Sequence, residues 1–88
     1  MAYEVIFSPT ARRDLQSVPP RIVTAIIEFA YGDLSRNPQR VGKALERDLA
    51  GFHSARRGPY RILYSIDEEH GSISVLRIDH RADVYRPR

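Results

Sequence analysis

Apolar and polar residues alternate at the start of the chain, with Tyr3, Val5 and Phe7 set against Glu4 and Ser8 and only Ile6 interrupting the polar side. A period of two predicts a strand with one buried face. Ser8-Pro9 supplies a helix N-cap followed by proline in the first turn. Ala11, Leu15 and Val18 then recur at helical spacing, which leaves Arg12, Arg13 and Asp14 pointing outward. Pro19-Pro20 ends this helix and opens a second. The stripe of the second helix runs through Val23, Ile27, Ala30 and Leu34, widened by Ile22, Ile26 and Phe29, and Asn37-Pro38 stops it. Residues 38–51 have no clear period and read as a connecting segment with one helical turn. From Phe52 the period of two returns. Phe52 to Arg57 is a strand, Gly58-Pro59 a turn, and Tyr60, Ile62, Tyr64 and Ile66 mark the clearest strand of the chain. Glu68 to Gly71 forms a hairpin loop. Ser72 to Asp79, carrying Ile73, Val75, Leu76 and Ile78, is the last strand, followed by a short tail from His80 to Arg88.

The order β-α-α-β-β-β predicts an α+β fold. A helical hairpin packs on one face of a mainly antiparallel four-stranded sheet whose last three strands form a meander. The place of the first strand in that sheet stays open. With 88 residues the chain is read as a single domain, 1–88, with one core.

Composition narrows the setting. The chain has no run of about 18 apolar residues, so no membrane span is expected. Its first residues lack the basic and long apolar regions of a signal peptide. No cysteine is present, which excludes disulfides and thiolate metal sites, and a cytoplasmic location is the simplest expectation. The net charge of +3 and a pI near 9.7 favour a polyanionic partner. Lys43 is the one lysine, and every other fixed cation is arginine, the residue suited to bidentate phosphate contacts and to stacking on bases.

Placement says more than number. Gly51 to Ile66 contains no acidic residue, yet it carries Arg56, Arg57 and Arg61 with His53 close by. Arg77, Arg81, Arg86 and Arg88 follow on the last strand and tail. Strand alternation sets Arg61 on the face opposite Tyr60, Ile62 and Tyr64. Such a face reads equally as an RNA platform or as a solvated strand surface. His80 has the histidine chemistry for proton transfer. No convergent set of histidines or carboxylates points to a metal, the five glycines form no phosphate loop, and no cofactor is expected.

Four stretches together resemble the RelE-type toxins of the RelE/ParE superfamily, and within it the RelE/RelG-like group. They are the element order, Gly42-Lys43-Ala44-Leu45 with Asp48 to Gly51, Arg57-Gly58-Pro59-Tyr60-Arg61-Ile62-Leu63-Tyr64, and Leu76 to Tyr85. The similarity runs from the first strand to Tyr85. It implies the toxin half of a type II toxin–antitoxin pair, which enters the ribosomal A site, cuts mRNA there without a metal and arrests growth. A RelB-like antitoxin would neutralise it, and operator DNA would be met only through the antitoxin complex. Carried over residue by residue, Arg61 would bind the scissile phosphate, and Arg81 and Tyr85 would complete the catalytic set. Lys43, His53, Arg56, Arg57 and Arg77 would bind RNA. The chemistry implied is attack of a ribose 2′-OH on the adjacent phosphate. Arg61 would stabilise the phosphorane. Tyr85, with its ordinary pKa of about 10 lowered by Arg81, would move the proton or else stack on a base. His80 and Glu46 are alternative proton-transfer groups.

The chain also departs from the pattern. Where well-studied relatives place lysines before the Gly-X-Tyr-Arg turn, this sequence has His53, Ser54 and Ala55. Ala44, rather than a glutamate, follows Lys43. Two other functions stay open: a ParE-like poison of DNA gyrase, and an inactive member that only binds antitoxin and operator DNA.

Overall fold

The structure is a computed structural model, and it describes residues 2–80. Arg81 and Tyr85, two of the expected catalytic residues, lie outside the described residues.

The chain runs β1 (Glu4–Phe7), α1 (Pro9–Leu15), α2 (Pro20–Phe29), α3 (Pro38–Val41), β2 (Lys43–Ala44), β3 (His53–Arg57), β4 (Tyr60–Asp67) and β5 (Ser72–His80). The sheet order is β1-β5-β4-β3-β2, with β1 parallel to β5 and the other pairs antiparallel. The α+β class and the meander are as expected, but the sheet has five strands instead of four. The extra strand, β2, is two exposed residues without any alternation. It exists because Lys43 and Ala44 lie against Ser54 and His53 at the sheet edge. A continuing bond from the Leu45 amide to the Phe52 carbonyl (2.9 Å) holds the pairing.

Local sequence explains the helix starts. The Ser8 hydroxyl accepts the Ala11 amide at 3.0 Å, and Pro9 follows where no amide is needed. α2 runs on into a π-helical turn, Ala30–Leu34. The wide turn carries Leu34 fully inside while Asp33 stays exposed. Ile26, Phe29 and Leu34 pack over Val5, Phe7, Ile62, Tyr64, Ile73 and Val75 in one core. Tyr64 is its largest fully buried side chain.

One irregularity in β5 decides which side chains face which way. Leu63 lies opposite Arg77 but Tyr64 lies opposite Val75, so Leu76 is an extra residue, a β-bulge. Strict alternation from Ile73 and Val75 would bury Arg77 and expose Ile78. The bulge reverses the phase: Ile78 is 2 % exposed, and Arg77 and Asp79 turn to the opposite face.

Beyond the bulge β1 has ended, and α1 serves the edge of β5 in its place. The Ser8 hydroxyl donates to the Leu76 carbonyl (3.0 Å), and Asp14 Oδ2 accepts the Ile78 amide (2.9 Å). Asp14 therefore turns toward the sheet and not outward as its helical position suggested. A strand end left without a ladder partner needs such acceptors, because an unpaired buried amide is costly.

Candidate functional site

The face of the sheet turned away from α2 is built by register. Arg56 lies directly opposite Arg61, and Arg61 directly opposite Asp79. The neighbouring row on this face is Lys43, Ser54, Leu63 and Arg77. Like charges facing each other across a ladder are ordinarily destabilising. Arg56 and Arg61 form one such pair, with Asp79 beyond Arg61 on the same row.

These cations surround a depression of about 280 Å³ lined by Val41, Gly42, Lys43, Ser54, Ala55, Arg56 and Arg61. No carboxylate among the described residues lines it. Lys43 and Arg56 are exposed and Arg61 is half-buried. A guanidinium held partly out of water at the floor, with two solvated cations at the rim, can bind a phosphodiester and stabilise added charge on it.

The other expected residues are distributed elsewhere. His53 and Arg57 alternate with Ser54 and Arg56, so they project to the helix-facing side. The Arg57 guanidinium lies 3.7 Å over the Phe29 ring, a cation–π contact with α2. His53 stacks on Tyr64 with ring centroids 5.4 Å apart, and its buried Nδ1 has no hydrogen-bond partner among the described residues. The arrangement thus does not bring His53 and Arg57 beside Arg61. His80 is exposed and meets the Tyr60 ring edge-on at 5.7 Å, again on the side opposite Arg61. Glu46 is exposed between β2 and the short turn Arg47–Leu49 and does not line the depression.

Arg77 shares the face of Arg61 but is engaged within the molecule. Its Nε donates to Asp14 at 2.9 Å and its Nη2 to Asp79 at 3.1 Å. The bond to Asp14 holds the guanidinium still more firmly protonated, against a smaller opposing effect of burial. Sequence reasoning did not name Val41, Gly42, Ser54 or Ala55 as site residues, yet all four line the depression, Val41 and Gly42 from the α3 side. A glycine beside the one lysine was the available signal.

Among the described residues, no group of three or more His, Cys, Asp or Glu side chains could hold a metal ion. No helix among them is long and apolar enough to cross a membrane. A second surface lies at the other sheet edge. There an apolar groove of about 410 Å³ is walled by Val5, Ile6, Phe7, Leu15, Ile27 and Tyr31, with Arg12 at its margin. Ile6 is 45 % and Tyr31 59 % exposed.

Comparison with known proteins agrees with this architecture. Residues 5–85 match the family described as the ParE toxin of the type II toxin–antitoxin system, parDE. The chain is 64% identical over 86 residues to Toxin RelG of Mycobacterium tuberculosis, covering 98% of this chain and 99% of that protein. It is 48% identical over 84 residues to Toxin RelE of the same organism, covering 96% and 87%. Among solved structures, the toxin–antitoxin complex RelBE2 of M. tuberculosis matches with a TM-score of 0.88 and 62% identity, over 92% of this chain and 100% of the matched one. The free E. coli toxin RelE, as a double mutant, shares the fold at a TM-score of 0.77 and 16% identity, over 97% and 88%. A basic sheet face, an α+β frame with a five-stranded sheet and relatives this similar along nearly the whole length lead to one assignment: the chain belongs to the RelE/ParE superfamily of type II toxins.

Proposed function

We propose that this toxin is a ribosome-dependent mRNA endoribonuclease that stops translation and is held inactive by a cognate antitoxin. The observation that carries the reading is the depression where Lys43, Arg56 and Arg61 converge with no carboxylate among the described residues that line it. A gyrase-binding protein has no need of a half-buried arginine facing a second arginine across a ladder. An RNA cleft does, because the phosphorane formed when a 2′-OH attacks the phosphate carries one more negative charge than the diester. Arg61 meets that charge, while Arg56 and Lys43 grip the flanking phosphates. Proton transfer falls to a group on another element. Arg81 and Tyr85 are proposed for the chemistry on resemblance, since His80 and Glu46 do not face the depression.

The antitoxin belongs to the same reading. RelBE2 is a complex of toxin and antitoxin, and β1 is a sheet edge beside an apolar groove. An added strand or an apolar helix face from the antitoxin would cover both. A basic toxin surface suits an acidic partner.

The test is cleavage of mRNA by the purified toxin with and without programmed ribosomes. Cuts that depend on ribosomes, and that Arg61→Ala lowers by about 100-fold or more with the fold unchanged, support the reading. DNA breaks with intact mRNA, and toxicity untouched by Arg61→Ala, would transfer the assignment to gyrase.

A further inference from the structure

The hydroxyl of Tyr64 leaves the core and donates a 2.5 Å hydrogen bond to the carbonyl of Pro38, the first residue of α3. Gly42 then passes directly over that hydroxyl. A Cβ on Gly42 would clash with Tyr64 Oη and stand 2.8 Å from the Ser54 carbonyl oxygen. The φ of Gly42 is −122°, open to any residue, so glycine is needed here for closeness alone. His53 covers the ring, stacked at 22°. One buried phenol thus seats both ends of the Pro38–Gly42 segment, and Lys43 is the next residue.

Val41, Gly42 and Lys43 form one wall of the depression that holds Arg61. β2 is only two residues long, too short to hold that wall by ladder bonds alone. Tyr64 itself faces the helices, on the side opposite Arg61. We infer that Tyr64 is a positioning residue, whose hydroxyl sets Lys43 against Arg56 and Arg61 by fixing Pro38 and Gly42. The inference rests on the RNA-cleaving reading for its consequence, but not for its geometry.

Single-turnover mRNA cleavage on saturating programmed ribosomes is measured for the parent, Tyr64→Phe, Lys43→Ala and the double variant. Tyr64→Phe is expected to slow cleavage about tenfold on the parent, and less than about twofold once Lys43 is gone. A purely structural tyrosine would produce the same loss on both backgrounds, and that result, or no loss at all, overturns the inference. If the parent does not cut mRNA, the functional reading falls, and amide exchange decides the positioning alone. The Leu45 amide, bonded to Phe52, should exchange about tenfold faster in Tyr64→Phe; unchanged exchange refutes it. Should Tyr64→Phe fail to fold, Gly42→Ala presses on the same hydroxyl and is put through the same cycle, with the same outcomes expected.

Discussion

Replacing Asp14 with alanine is expected to destabilise the protein far more than its place on a helix surface suggests. The side chain does two things at once. Its Oδ2 accepts the Ile78 amide at 2.9 Å and the Arg77 Nε at 2.9 Å. Asp14 is only 16% exposed and Arg77 34%. Losing the acceptor leaves a strand amide unpaired at the edge that α1 covers, at a cost of about 1–3 kcal/mol. The ion pair is partly solvated and adds about 0–1 kcal/mol. The sum is about 1–4 kcal/mol, and a domain of this size loses about 4–8 °C in Tm per kcal/mol, so the melting point should fall by about 4–32 °C. The Asp14→Asn variant keeps an acceptor and gives up the charge, so it should retain most of that stability. Urea and thermal unfolding followed by far-UV circular dichroism measure both variants. Amide exchange at Ile78 reports whether the bond itself is the cause. An Asp14→Ala protein within about 0.5 kcal/mol of the parent would refute the account, as would Asp14→Asn being equally unstable.

Neutralising Lys43 or Arg56 should weaken RNA binding without regard to sequence and reduce the slope of log affinity against log salt by about 1 each; titrations across salt concentrations check this. Ile6→Asp, on the exposed edge strand, should weaken antitoxin binding about tenfold and leave mRNA cleavage intact, read by calorimetry beside the cleavage assay. Burial pushes the Tyr64 phenol up to about 12 from its ordinary value of 10.0. The folded state thus holds that proton more tightly, so stability should be complete below pH 10 and decline as pH rises toward 12. Denaturant midpoints across that range should show the decline, and Tyr64→Phe should flatten it.

Much of this protein is legible along the chain. The alternation in Tyr3 to Phe7 and in Tyr60 to Ile66, the Ser8-Pro9 start and the Asn37-Pro38 stop each specify an element through neighbours a few residues away. Local backbone geometry and the demand to bury one apolar face need no more than that. The same alternation set Arg61 opposite Ile62 and Tyr64.

What the sequence could not supply depends on partners far away in the chain. β2 has no strand pattern and is a strand only because β3 offers it an edge. His53 and Arg57 read as part of one basic wall with Arg56, yet a pleat sends neighbours to opposite faces, and Phe29 and Tyr64 take them. The bulge at Leu76 shifts the phase of β5, and with it the sides to which Arg77, Ile78 and Asp79 turn. Composition and periodicity determined the class of the fold and the arginine-rich second half. Tertiary packing decided which of those cations share a depression, because facing in a sheet is set by register and register by contacts across the chain.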